Sequence, residues 1–157
     1  MDEHYKYMRR AIQISAERMR VNSGGPFGAV IVKDGAVIAE GFNQVTSAND
    51  PTAHAEVDVI RAAGRILGTF DLSGCAIYTS CEPCPMCLAA IYWARLDRCY
   101  FANTRADAAN IGFDDALIYE EVGKEIADRK LPMERILLSE ATDIFEEWSN
   151  KEDKVEY

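Results

Sequence analysis

The chain has 157 residues, of which 48% are apolar and 27% charged, a composition that suits one globular domain with no need of disulfide staples. Its net charge of −9 repels phosphate backbones and disfavours nucleic acid as a partner. No apolar run is long enough to span a bilayer, and Met1-Asp2-Glu3-His4-Tyr5 does not open a signal peptide, so a cytoplasmic protein without a membrane partner is expected.

Residues 3–20 space Tyr5, Met8, Ile12, Ala16 and Met19 as a helix does. Asn22-Ser23-Gly24-Gly25-Pro26 breaks it. Gly28–Lys33 and Ala36–Phe42 read as strands joined at Asp34-Gly35, a strong hairpin signal. A polar loop runs from Asn43 to Asp50. A helix is predicted from Thr52 to Leu67, with Val57, Ile60 and Leu67 on one side and Thr52 or Asp50 as its cap. Cys75–Ser80 reads as a buried strand, and Pro83 and Pro85 announce a helix to about Ala94. Arg98–Ala102 is a further strand and Ala116–Gly123 a short helix. Ile136–Leu138 reads as a last strand, before a closing helix that holds Ile144–Trp148. Strands alternating with helices after an opening hairpin predict a mixed sheet between helix layers.

Five cysteines, without a signal peptide, fit reduced thiols, and three of them fall within seven residues. Two short segments carry the chemistry: His54-Ala55-Glu56 and Pro83-Cys84-Pro85-Met86-Cys87. One imidazole and two thiolates form a donor set that zinc prefers, and three protein ligands leave a fourth position open for water. Cys84 and Cys87, three apart, share a helix face. At helix starts, His54 and Glu56 can both reach past the end toward the same ion, where the helix dipoles favour thiolates. Glu56 is then placed to take a proton from water and return it to a ring nitrogen and the leaving amine. H-x-E followed by P-C-x-x-C is the signature of zinc deaminases. Cys81-Glu82-Pro83-Cys84 is a second C-x-x-C, so a closed structural site of three cysteines and His54 is the alternative. It leaves Glu56 without a role. Cys75, Cys99 and Cys81 read as buried thiols.

The chain resembles the cytidine deaminase superfamily and, within it, the small bacterial guanine deaminases. The resemblance is carried by Gly24 to Val32, Asn49 to Val57, Thr79 to Cys87, Ala90 to Ala94, Gly112-Phe113-Asp114-Asp115 and Val155-Glu156-Tyr157. It implies a three-layer α/β/α fold with a mixed five-stranded sheet, one zinc ion per chain, and hydrolysis of the purine guanine at C2 to xanthine and ammonia. It also implies site roles. Asn43 would hydrogen-bond the purine, although it equally suits a turn. Phe27 and Trp93 would wall the flat base, although isolated aromatics are often core. Asp115 would be a second acidic residue, although it also suits a helix cap. Tyr157 would close the pocket, with a frayed tail as its plain alternative. The implied organisation is a deaminase domain over 1–150 and an arm over 151–157, exchanged in a homodimer. Deaminases of guanosine or of an aminotriazine share most of these residues. Transfer-RNA adenosine deaminases share the zinc motif but differ around Gly25-Pro26-Phe27 and Gly112 to Asp115.

Overall fold

The structure is a computed structural model that describes residues 3–157. Four strands form its sheet: β1 (Gly28–Lys33), β2 (Ala36–Phe42), β3 (Cys75–Cys81) and β4 (Arg98–Asn103), in the order β2-β1-β3-β4. β1 runs antiparallel to both β2 and β3, while β3 and β4 are parallel, so the sheet is mixed as the alternation implied. Asp34 and Gly35 both take positive φ, which turns the hairpin where the sequence places it.

β1 is buried on both faces, and its side chains sort with the period of two that a strand imposes. Ala29 and Ile31 join Ile77, Val59, Ala63 and Ile91 on one side. Val30 and Val32 join Tyr7, Ile14 and Tyr78 on the other. The first side is covered by α3 (Ala55–Leu67) and α4 (Pro85–Trp93), the second by α1 (Glu3–Arg20). The expected layering is therefore present.

Several expectations are corrected. The sheet has four strands, not five. Ile136–Leu138 does not form a strand: Leu137 takes φ 51, left-handed backbone that cannot continue an extended run, and Leu138 begins helix α7 (Leu138–Asn150). The buried stripe of α1 is Tyr7, Ala11 and Ile14, whereas Tyr5, Ile12 and Met19 are exposed. Both stripes have helical spacing, and Gly28 on β1 lets the helix lie close on the sheet, since a Cβ there would fall 2.4 Å from the Ala11 carbonyl oxygen and 2.7 Å from the Ser15 nitrogen. The polar loop contains a short helix, α2 (Val45–Ala48). α3 starts at Ala55 rather than Thr52, because Asp50 Oδ1 accepts from both the backbone N–H and the hydroxyl of Thr52 and holds them in a turn. Helix α5 (Arg105–Asn110) has no counterpart in the sequence reading; Thr104 and Asp107 form its capping box.

The chain divides into two compact units, Met1–Asp115 and Ala116–Tyr157. The second comprises α6 (Ala116–Val122), a 3-10 turn at Ile126–Asp128 and α7. Lys124 pairs with Glu120 and Glu121 within it. None of residues 116–157 is buried, and Leu117, Ile118, Ile144, Phe145 and Trp148 are among its exposed apolar side chains. Among the described residues, no helix is long and apolar enough to cross a membrane.

Gly41 on β2 decides how closely α3 can sit. A Cβ there would lie 2.7 Å from the Ala55 carbonyl oxygen and 2.7 Å from the Val59 nitrogen. Both are backbone atoms of the first turns of α3, which cannot step aside alone. Gly41→Ala is therefore expected to lower stability by about 1–3 kcal/mol, the usual cost of overpacking, with a fall in Tm on thermal unfolding.

Candidate active site

β2 and β3 both run antiparallel to β1, so both leave the sheet at the same end of its strands. The helices that follow them, α3 and α4, therefore start side by side. His54 is the N-cap of α3 (φ −75°, ψ 156°) and Cys84 the N-cap of α4 (φ −66°, ψ 169°). Neither uses its side chain to cap its own helix. Both side chains are thus available to one another, with Pro85 opening α4 where a missing N–H costs nothing.

His54 Nδ1 lies 3.5 Å from Cys84 Sγ and 3.5 Å from Cys87 Sγ. The three donor atoms all fall within 4.8 Å of one another, the only such group of three His, Cys, Asp or Glu residues among the described residues. A tetrahedral zinc ion with Zn–N of about 2.0–2.1 Å and Zn–S of about 2.3 Å separates nitrogen from sulfur by about 3.5 Å. The donor set fits zinc in chemistry and in span. Cys81 stands apart: its thiol is buried and directed to the Thr104 carbonyl oxygen at 3.7 Å, and burial first of all pushes its pKa up to about 11. The closed site of three cysteines and His54 is not assembled. Cys75 is buried in the core and Cys99 packs against it.

Glu56, in the first turn of α3, is buried. Its Oε1 accepts from the Thr79 hydroxyl at 2.9 Å, and its Oε2 lies 3.3 Å from Cys87 Sγ. Burial raises its pKa, opposed by hydrogen bonds from its own backbone, Thr79 and Cys87. Cys84 is held down to about 4, chiefly by the hydrogen bond it accepts from Cys87 and, against burial, by His54. Cys87 is pushed up by that same bond and then by burial. The hydrogen bond to Cys84 raises His54. In short, an imidazole, a thiolate and a buried carboxyl share one small volume.

Asn43 is buried just after β2. Its Oδ1 accepts from the backbone N–H groups of Gly25 and Val45, at 3.2 and 3.3 Å. Two N–H donors demand the oxygen there, so the amide nitrogen is the end that can donate to a ligand. Gly24 makes this approach possible, since a Cβ on it would fall 1.7 Å from the Asn43 carbonyl oxygen. Phe27 is half-buried, with the ring of Phe113 edge-on at 4.9 Å between centroids. Asp115 is half-buried, and its pKa is raised by burial first and by the Cys84 thiolate second, with Arg105 opposing.

Trp93 ends α4, about 12 Å along the axis from Pro85 at 1.5 Å per residue, and is 65% exposed. Tyr157 belongs to the second unit and is 71% exposed. Two side chains that carry no role in the sequence are placed at the site: Thr79, which bonds Glu56, and Phe113, whose ring packs on Phe27. Thr79 had a faint signal, as the one hydroxyl in phase with Cys75, Ile77 and Cys81 along β3.

Residues 1–103 match the model of the cytidine and deoxycytidylate deaminase zinc-binding region. The chain belongs to this deaminase family. A guanine deaminase of Bacillus subtilis (strain 168) is 51% identical to it over 154 residues, 98% of this chain and 99% of that protein. The X-ray structure of guanine deaminase from Bacillus subtilis superposes with a TM-score of 0.96, covering 100% of this chain and 99% of that one. A tRNA-specific adenosine deaminase of Agrobacterium fabrum (strain C58 / ATCC 33970) is also 51% identical, but over 76 residues, 48% of this chain and 50% of that protein. The likeness to that adenosine deaminase thus covers about half of each chain, while the likeness to the guanine deaminase spans both. The deaminase family supplies the cofactor, zinc, and the His/Cys/Cys group is the set of donors that could hold it.

Cys84→Ala and Cys87→Ala are each expected to lose zinc and much stability, because binding free energy at such a site is also folding free energy. Cys81→Ala should retain the metal. Metal analysis of the three purified variants checks this; zinc lost from Cys81→Ala and kept in Cys87→Ala would reverse the assignment.

Proposed function

We propose that this chain hydrolyses guanine to xanthine and ammonia, with zinc held by His54, Cys84 and Cys87. The observation that carries the reading is the buried Glu56 carboxylate, 3.3 Å from one of three converging donors, in a chain 51% identical over its length to a guanine deaminase. Zinc would supply Lewis acidity at the fourth position, lowering the pKa of water there. Glu56 is not one of the three donors, and its Oε2 lies beside them, 3.3 Å from Cys87 Sγ. It takes one proton from the attacking water and delivers it to the ring nitrogen beside C2, then carries the second proton, from the new hydroxyl on C2, to the departing amine. The carbonyl oxygen of xanthine comes from water, whose two protons end one on the ring nitrogen and one in ammonia.

Asn43 donates through its amide nitrogen to an acceptor on the purine, which its backbone-held oxygen supports. Asp115, half-buried and near Cys84, accepts from the exocyclic amine and helps carry protons. Phe27 provides one wall of the base. Trp93 and Tyr157, both well exposed in the single chain, complete the pocket on association. The exposed apolar surface of residues 116–157 supports a homodimer in which the arm over 151–157, beyond the deaminase domain, crosses to the partner. Five free thiols and a net charge of −9 support a cytoplasmic enzyme that acts on a small purine rather than on nucleic acid.

Glu56→Gln should keep zinc and fold while guanine turnover falls by about 10²–10⁴-fold, the usual contribution of general acid/base transfer. Ammonia release from guanine, guanosine, adenine, cytidine and ammeline should favour guanine in the unaltered protein. Cytidine turned over faster than guanine would overturn the substrate assignment.

Deleting Val155–Tyr157 should lower turnover strongly and leave zinc content intact. Mixing that variant with Glu56→Gln should restore activity that neither has alone, because the mixed dimer holds one site with Glu56 intact and an arm from its partner. Subunit exchange shown by mass, without recovered turnover, would confine the arm to its own chain.

A further inference from the structure

β3 places Cys75, Ile77, Thr79 and Cys81 toward α3 and α4, by the alternation of a strand. Thr79 is fully buried there, paired with Ala29 on β1 and Phe101 on β4. Threonine is ordinary in a strand, and packing alone could explain it. Its hydroxyl, however, is spent on one oxygen of Glu56, at 2.9 Å, with both groups buried. A carboxylate only accepts, so the hydroxyl donates.

The consequence is an asymmetry between the two oxygens. Oε1 is tied to the sheet, and Oε2 is thereby turned toward Cys87 Sγ at 3.3 Å, the side of the donor cluster. Without the tie, the last torsion of the glutamate, broad for such a group, is restrained only by the Cys87 contact at Oε2. Strand β3 does not slide, because it is bonded to a neighbour on each side. The anchor is thus a rigid element rather than a loop.

We infer that Thr79 is a positioning residue, which holds the Glu56 carboxylate by Oε1 so that Oε2 is the oxygen that exchanges protons with the substrate. This rests on the proposed acid/base role of Glu56. A donor that orients a proton carrier affects the rate of transfer more than substrate affinity, since misplacement of a reacting group by an ångström can cost about 10²-fold.

The test is steady-state kinetics with guanine on zinc-loaded Thr79→Val, Thr79→Ala and Thr79→Ser, with zinc content and Tm measured alongside. Val keeps the shape and removes the hydroxyl; Ser keeps the hydroxyl. In Thr79→Val, kcat should fall by about 10- to 100-fold with KM changed less than about threefold and zinc retained. Ser should recover most of the rate. If Val fails to fold, Ala against Ser carries the same comparison. Turnover within about twofold of the unaltered protein would overturn the inference. So would an equal loss in Val and Ser, which would mark packing, or a loss of zinc, which would mark the ligands.

A double-mutant cycle separates this from the underlying reading. In the Glu56→Gln background, Thr79→Val should have almost no further effect. A further fall of the same factor would show that Thr79 acts independently of Glu56. Near-normal turnover of Glu56→Gln by itself would instead remove Glu56 from the reaction, and the positioning role with it.

Discussion

The site depends on two helices starting at one place. β2 and β3 share a direction because each lies antiparallel to β1, so α3 and α4 begin at the same end of the sheet. Each begins with an extended residue whose side chain has no work to do for its own helix. That is why His54 can meet Cys84 and Cys87 at equal distances of 3.5 Å. The partial positive charge of both helix starts faces the sulfurs, which lowers the cost of thiolate there. Gly41 adds the tolerance: with no side chain, β2 lets the first turns of α3 rest directly on the sheet.

The electrostatics of the cluster explain why a dication belongs in it. A thiolate at Cys84, a second sulfur at Cys87 and the buried Glu56 carboxyl are mutually unfavourable as anions. Cys87 and Glu56 are both pushed toward their protonated forms. A bound dication reverses that balance and allows both thiols to ionise. Glu56 sits beside the donors without being one of them. Its Oε1 is engaged by Thr79 on a different element and its Oε2 by Cys87, so the sheet as well as the donor cluster bears on its position.

The two units contrast in how they bury apolar surface. The first has two cores, one on each face of the sheet. In the second, from Ala116 onward, no side chain is buried. Large apolar side chains such as Phe145 (78% exposed) and Ile136 (71%) lose nothing to water only if another surface covers them. A second copy of this chain, as proposed above, would supply such a surface.

The candidate donors His54, Cys84 and Cys87, and Glu56 beside them, were legible in the sequence because their spacing is short-range and their chemistry is specific. Two residues apart at one helix start, and three apart at another, need no knowledge of the rest of the fold. The hairpin at Asp34-Gly35 was legible for a similar reason: a local backbone demand names its own residues. What failed was whatever neighbours had to decide. Two stripes of α1 have equal periodicity, and only contact with the sheet chose Tyr7, Ala11 and Ile14. Ile136–Leu138 is apolar enough for a strand, yet a strand needs a partner with which to bond, and Leu137 turns left-handed instead. Thr79 looked like any strand threonine until β3 was laid under the first turn of α3, because a hydrogen bond across 23 positions has no sequence period to announce it. The sequence by itself determined which atoms could bind zinc and carry protons. Only the tertiary structure decided which of them meet, since strand direction and helix approach are set by packing between distant segments.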